Sequence, residues 1–173
     1  MIIHTNAKKQ ENGYILIELI VSISLISIIL ISISMLFYFT FNTYKTHTEF
    51  LEAKNDAQIV LKYIEKRLME CNQKSIIYYG EEKIFQGRDY NNKIAWIDLS
   101  GKVSRKQNTL INFYKDKNEI RVNKNNENNV LSNNIKNVIV NELVEGKLVE
   151  IEVITSKSKY SSKIKFKLEY TKI

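Results

Sequence analysis

The chain carries an uninterrupted apolar stretch, Tyr14 to Phe41, that constrains its fold more than any other part of the sequence. About 20 predominantly apolar residues in a helix are enough to cross the hydrocarbon core of a bilayer. Glu18, near the beginning of the stretch, is its single carboxylate. A charge inside a membrane helix costs roughly 2.5–3.5 kcal/mol at the helix centre and less near an end. The stretch therefore predicts a membrane-spanning helix in which Glu18 has to be compensated.

The rest of the composition bounds the fold and excludes several classes of protein. One cysteine, Cys71, excludes an internal disulfide and argues against a structural zinc cluster. Two histidines and five scattered glycines provide no catalytic triad, metal site or glycine-rich phosphate loop. We therefore predict a protein without catalytic activity or cofactor, built from one membrane segment and one small domain. Its net charge of +7 permits weak contact with DNA or an anionic wall polymer.

A short polar leader, residues 1–13, precedes the apolar stretch and contains Lys8 and Lys9. Basic residues before an apolar segment are typical of a secretory signal peptide. The apolar stretch is about twice as long as the core of such a peptide, however, and no small-x-small cleavage site ends it. A signal-anchored extracytoplasmic domain, with the leader inside and the C-terminal part outside, is therefore one interpretation of the whole chain.

The residues around Gly13 indicate a more specific interpretation. The sequence Gly13-Tyr14-Ile15-Leu16-Ile17-Glu18-Leu19, preceded by Lys8-Lys9, resembles the processing site of type IV prepilins and pseudopilins. The resemblance implies that a prepilin peptidase cleaves after Gly13 on the cytoplasmic side of the membrane. It further implies that the new amino group of Tyr14 is methylated and that Glu18 takes part in filament assembly.

The chemistry of these residues agrees with that resemblance. Gly13 has no side chain, so a protease can approach its backbone closely. Cleavage creates a cationic amine on Tyr14, which can pair with the Glu18 carboxylate of a neighbouring helix and offset the desolvation of both charges. The alternative is a Glu18 side chain that reaches the lipid headgroups and has no further role.

The apolar stretch also departs from the major pilins of that family. Many of them carry a proline at the position that Met35 occupies here, and their helix is richer in Ala, Gly and Val than in Ile and Ser. At 100° per residue the serines fall on two sides of the helix. These are Ser24, Ser27 and Ser34 on one side, and Ser22 and Ser32 with Glu18 on the other. Such a distribution suits a helix packed on several sides, although serines scattered through a plain anchor explain it equally well.

The polar segment 42–74 is predicted to continue the helix in amphipathic form, because no Gly or Pro interrupts it. Its apolar residues recur every three or four positions. They are Phe50, Ala53, Ala57, Leu61, Ile64, Leu68 and Cys71. This narrow stripe predicts packing against a domain, with Cys71 as a buried reduced thiol rather than a reactive one.

Residues 75–173 are predicted to form an extracytoplasmic antiparallel β domain. The expected strands are Ser75–Tyr79, Lys93–Leu99, Thr109–Lys115, Glu119–Asn123, Ile135–Asn141, Lys147–Thr155 and Lys163–Thr171, with hairpin turns at Lys117-Asn118 and Glu145-Gly146. The Asn-rich segment 123–129 lacks the carboxylates of a calcium loop and is predicted to be a solvated loop. A long helix on such a sheet is an α+β fold and agrees with the pilin-like architecture that the resemblance implies.

The last part of the chain is basic. Lys157, Lys159, Lys163, Lys165 and Lys167 are candidate contacts for DNA or an anionic wall polymer. A solvated strand face whose edge is guarded by lysines explains the same residues.

Two further segments, Leu61–Leu68 and Asn129–Val138, resemble the larger minor pilins related to the J-type pseudopilin. We therefore expect a structural minor pilin or pseudopilin of a type IV pilus, a competence pseudopilus or a secretion machine. Its expected partners are the prepilin peptidase, other pilins and the membrane. The alternatives are a ligand-binding pilin with a basic β domain and the signal-anchored domain described above.

Overall fold

The computed structural model describes residues 5–72, 75–103, 106–124 and 127–168. The first residues of the predicted leader and the end of the last predicted strand, residues 169–171, lie outside these ranges. The described residues form two compact units, one up to His47 and one from Thr48 onward.

A single long helix, α1, runs from Thr5 to Glu70. It begins upstream of Gly13 and ends slightly before the predicted residue 74. The absence of Gly and Pro between Tyr14 and Glu70 explains its length, because these are the residues that most often interrupt a helix. The side chains of its apolar part are exposed from Tyr14 onward, and α1 is long and apolar enough to cross a membrane. The predicted long apolar helix is confirmed, and that it crosses a membrane stays a prediction.

The predicted apolar stripe is the buried face of the amphipathic part of α1. Ala53, Ala57, Leu61, Ile64, Leu68 and Cys71 are all buried, and Val60 is buried with them. Phe50 is partly exposed, but its ring meets the ring of Tyr160 edge to face at a centroid distance of 5.4 Å. One face of this part of the helix therefore enters the core of the C-terminal unit.

Nine strands follow the helix. They are β1 (Ile77–Tyr79), β2 (Ile84–Arg88), β3 (Ile94–Asp98), β4 (Thr109–Tyr114), β5 (Glu119–Lys124), β6 (Glu127–Ser132), β7 (Ile135–Val144), β8 (Leu148–Thr155) and β9 (Ser161–Lys167). The first six form one sheet in the order β1-β2-β3-β4-β5-β6, and the last three form a second sheet in the order β7-β8-β9. The seven predicted strands are confirmed within the described residues.

Both predicted hairpin turns are also present. Asn118 adopts a left-handed conformation after a 3-10 turn, Lys115–Lys117, and connects β4 to β5. Gly146 has a φ of 63° between β7 and β8. Asparagine and glycine tolerate this conformation better than other residues, so the turn residues position both hairpins.

The prediction of a purely antiparallel sheet is wrong. Strands β3 and β4 are parallel, with Ile97 opposite Ile111 and Asp98 opposite Asn112. Parallel neighbours need a crossover connection rather than a tight turn, and residues 99–108 provide it. That connection is polar and lacks a helical repeat, so the sequence offered no sign of a crossover.

Two strands were not predicted. β2 contains Gln86, Gly87 and Arg88, which weaken its strand pattern. β6 contains Glu127, Asn128 and Asn129. The prediction of a solvated loop over 123–129 is therefore wrong for the residues of that segment that lie in β5 and β6. Asn128 and Asn129 are exposed and pair with β5 through the backbone. Backbone pairing without side-chain burial leaves little pattern in a sequence.

One hydrophobic core holds the C-terminal unit together. It combines the stripe of α1 with side chains from both sheets, including Phe85, Phe113, Ile135 and Ile151. The predicted α+β class is confirmed: a helix packs on a mixed six-stranded sheet and an antiparallel three-stranded sheet.

Candidate functional site

The N-terminal candidate residues lie on α1. Gly13 and Tyr14 are consecutive helical residues, and Glu18 follows Tyr14 by four positions. Residues four apart lie on the same face of a helix, one turn from each other. Tyr14 is 72% exposed, and Glu18 makes no ion pair or hydrogen bond to any described residue. Its carboxylate therefore has to be compensated from outside the described chain.

Ser22 makes no hydrogen bond to a described residue, but the other five serine and threonine hydroxyls of the apolar part of α1 are satisfied within the helix. Each of these five donates to the carbonyl oxygen four residues earlier, at 2.7–2.9 Å: Ser24 to Ile20, Ser27 to Ile23, Ser32 to Ile28, Ser34 to Leu30 and Thr40 to Leu36. Such bonds remove the need for an outside partner. Glu18 is thus distinguished from these five residues.

The basic candidates lie at the β8–β9 hairpin. Lys157 and Lys159 are in its turn, where Ser158 and Lys159 have positive φ angles. Lys163, Lys165 and Lys167 are exposed along β9. Phe166 and Leu168 are buried on the other side, so the predicted alternation of this strand is confirmed as far as residue 168.

Two of these lysines lie against carboxylates. The Nζ of Lys163 lies 3.3 Å from Glu152 and 3.4 Å from Glu150, and the Nζ of Lys157 lies 3.8 Å from Glu52. The hydrogen bond to Glu152, followed by the charge of Glu150, raises the pKa of Lys163. The basic surface is therefore partly neutralised by β8. The sequence carried a signal for this pairing, because Glu150 and Glu152 alternate with the same period as the lysines of β9.

Asn134 is a buried polar residue that sequence reasoning missed. Its Nδ2 donates to Oδ2 of Asp56 at 2.9 Å. Its Oδ1 accepts from Oγ of Ser156 at 2.5 Å and from the backbone N–H of Lys157 at 2.9 Å. One amide thus connects α1, the β6–β7 connection and the β8–β9 turn. Its position in an Asn-rich segment gave no sign of this role.

Cys71 is buried, as predicted. Desolvation is the main cause that raises the pKa of its thiol, and the nearby carboxylate of Asp89 adds to the effect. A raised pKa lowers the fraction of reactive thiolate at neutral pH. No group of three or more His, Cys, Asp or Glu side chains suited to a metal ion occurs among the described residues.

Sequence reasoning also missed an aromatic and charged cluster on the six-stranded sheet. Lys106 Nζ lies 4.1 Å from the ring centre of Trp96 and 5.8 Å from that of Tyr79. The same Nζ is 3.2 Å from a carboxylate oxygen of Glu82. Trp96 lies on the face opposite to its buried neighbours Ala95 and Ile97. Lys106 comes from the β3–β4 crossover, so this cluster depends on a connection that the sequence did not predict.

Comparison with known proteins identifies no relative: no protein-family model, curated protein or solved structure matches this chain.

Proposed function

We propose that this chain is a prepilin-like minor pilin or pseudopilin, a structural subunit of a type IV pilus, a competence pseudopilus or a secretion machine. In this proposal it is held in the cytoplasmic membrane with its leader inside and its β domain outside. A prepilin peptidase cleaves it after Gly13, and the product joins a filament through α1. It is a substrate of the peptidase and performs no catalysis of its own.

The observation that carries the proposal is the isolated carboxylate of Glu18. It is the one acidic side chain between Tyr14 and Phe41, and none of the described residues pairs with it. The motif around Gly13 supplies a counter-charge for it, because cleavage creates an amine on Tyr14. Within one chain, Tyr14 and Glu18 lie a helical turn apart. Pairing between neighbouring chains instead fixes the axial position of one helix against the next.

The exposed apolar side chains of α1 supply the rest of the assembly surface. In the membrane they face lipid, and in a filament they pack on the same part of neighbouring subunits. Four of the five serine hydroxyls bond within their own helix, so transfer between these two apolar environments leaves those four satisfied. The ion pair then provides the directional contact that apolar packing lacks.

The test is incorporation of a Glu18→Ala variant into filaments in cells that process and assemble the wild-type chain. Removing one partner of a buried ion pair costs about 3–5 kcal/mol, and about 1.4 kcal/mol corresponds to tenfold in an equilibrium. We therefore expect normal cleavage but more than about tenfold less Glu18→Ala in the filament fraction. Ser24→Ala is the matched control, because the Ser24 hydroxyl bonds only within its helix. Normal incorporation of Glu18→Ala would show that the pairing argument is wrong.

A ligand-binding pilin is the second candidate. It is favoured by the exposure of Lys159, Lys165 and Lys167, for which no ion pair occurs within the described residues. Neutralisation of Lys157 and Lys163 by carboxylates weakens it. Strongly salt-dependent binding of DNA or an anionic wall polymer, lost in a Lys165→Ala/Lys167→Ala variant, would support this candidate. A signal-anchored domain unrelated to pili is the third, and an uncleaved leader distinguishes it from both pilin proposals.

A further inference from the structure

Two adjoining cavities lie on the Trp96 side of the six-stranded sheet and share Lys106. The first has a volume of about 730 Å³ and is lined by residues of the β2–β3 turn, β3, the crossover and β5. The second has a volume of about 490 Å³ and lies between the β1–β2 turn and the beginning of the crossover. Both volumes fall within the range of small-ligand sites, about 300–1,000 Å³. Together they form a groove that can hold an extended ligand.

The lining of the larger cavity combines an aromatic surface with side-chain amides. Trp96 provides the aromatic surface, and Asn91, Gln107, Asn108 and Asn123 provide the amides. Asn108 donates its Nδ2 to the carbonyl oxygen of Ile94, which fixes this side chain in the lining. The amides of Asn91, Gln107 and Asn123 make no hydrogen bond to the described part of the chain. Each offers both donors and an acceptor to a ligand.

Among the described residues that line the groove, positive and negative side chains are equal in number, although the whole chain carries +7. These described residues are Lys83, Lys93, Lys102 and Lys106 against Glu81, Glu82, Asp89 and Asp98. Several carboxylates are already engaged. Asp89 Oδ1 accepts from the backbone N–H groups of Asn91 and Lys93, and Glu82 pairs with Lys106. A nucleic acid or anionic polymer needs an excess of positive charge, so this balance favours a neutral polar ligand.

Trp96 has a charged neighbour that restricts its ring. Lys106 lies over the ring, and the ammonium group of that lysine pairs with Glu82 at the surface. A cation placed over an indole ring is a favourable contact. An aromatic surface that is already ordered loses little conformational entropy on binding, which lowers the cost of association.

We propose that this groove binds a neutral oligosaccharide. The C–H face of a sugar ring packs on the Trp96 indole, while its hydroxyl or acetamido groups exchange hydrogen bonds with Asn91, Gln107 and Asn123. A second sugar of the same chain extends past Lys106 into the smaller cavity. This binding is separate from assembly through α1 and does not depend on the proposed pilin function.

The chain provides its own reporter, because Trp96 is the single tryptophan. The full chain, in a detergent without a sugar headgroup, is titrated with N-acetylglucosamine hexamer, with glucose hexamer and with a single-stranded DNA oligonucleotide. We expect a saturable change in tryptophan fluorescence with at least one of the two sugar hexamers and none with the DNA.

Variants then locate the site. Asn91→Ala and Gln107→Ala each remove hydrogen bonds to the ligand, and we expect each to raise the Kd about fivefold. Asn55→Ala and Gln58→Ala are the matched controls: both residues are exposed on α1 and lie outside the groove, so their Kd should equal that of the wild type. The proposal is overturned by failure of both hexamers to change the fluorescence, by a response to DNA alone, or by equal effects of the groove and control variants.

Discussion

At the residue scale, the Asn134 amide bonds to three residues from distant parts of the C-terminal unit. Asn134→Ala leaves the Ser156 hydroxyl and the Lys157 N–H without their acceptor, and Asp56 without its donor. These three bonds are partly buried, and losing them together costs on the order of 1–3 kcal/mol. We therefore expect the variant to lower the free energy of unfolding of this unit by that amount, measured by chemical unfolding followed by near-UV circular dichroism.

Asn133 is the matched control for this prediction. It is adjacent in sequence and exposed, so Asn133→Ala should change the free energy of unfolding by less than about 0.5 kcal/mol. Equal effects of the two variants would mean that the Asn134 bonds do not stabilise the domain.

Close packing leaves no room for a side chain at Gly87. A Cβ added there would lie 2.9 Å from both Cβ and Sγ of Cys71, which is closer than side chains tolerate. Overpacking of a core typically costs about 1–3 kcal/mol, so Gly87→Ala should lower the unfolding temperature. A Cβ at Gly80 meets only an ordinary contact, 3.7 Å from Tyr78. Gly80→Ala should therefore stay close to the wild type, and a Gly87→Ala protein as stable as Gly80→Ala would contradict the close packing of β2 on Cys71.

At the element scale, the amphipathic part of α1 contains two isoleucines with opposite environments. Ile64 is fully buried in the core, whereas Ile59 is 51% exposed. Ile64→Ala should lower the free energy of unfolding by about 2–5 kcal/mol because it leaves a cavity, and Ile59→Ala by less than about 0.5 kcal/mol. Chemical unfolding of the two variants measures the difference. Similar losses would show that the predicted stripe is not the packed face of the helix.

The elements differ in how well the sequence predicts them, and the differences have physical causes. The stripe of α1 was predictable because burial imposes its repeat directly on the residues from Ala53 to Cys71. β9 was predictable for the same reason, since Phe166 and Leu168 face the core. β6 was not, because backbone pairing holds its exposed asparagines. The parallel pairing of β3 and β4 was not predictable either, because the polar crossover carries no periodic signal.

The candidate site residues also differ in whether the sequence alone could indicate them. The segment around Gly13 and Glu18 could be proposed from the sequence because its expected chemistry depends on residues close together in the chain. The Trp96 groove and the Asn134 network unite residues that are distant in sequence, such as Lys106 with Glu82 and Asn134 with Asp56. Only the fold brings these together. The lysines of β9 were recognised as basic, while the neutralisation of Lys163 by Glu150 and Glu152 of β8 required the strand register.

At the scale of the whole molecule, the chain contains an apolar helix, whose carboxylate Glu18 has no partner among the described residues, and a compact β domain. In a plain membrane anchor Glu18 has no function, whereas in a processed filament subunit cleavage creates an amine on Tyr14 that can pair with it. The two alternatives predict different N-termini for the mature protein, so the chemistry of that end decides between them.

The most direct measurement is the mass of the N-terminal peptide after co-expression of the full chain with a prepilin peptidase. If the chain is a prepilin, we expect a peptide that begins at Tyr14 and carries one methyl group on its amine. The same experiment without the peptidase should yield a chain with its leader intact. The pilin proposal would be contradicted by a product that still begins at Met1 in the presence of the active peptidase, or by one cut beyond Phe41.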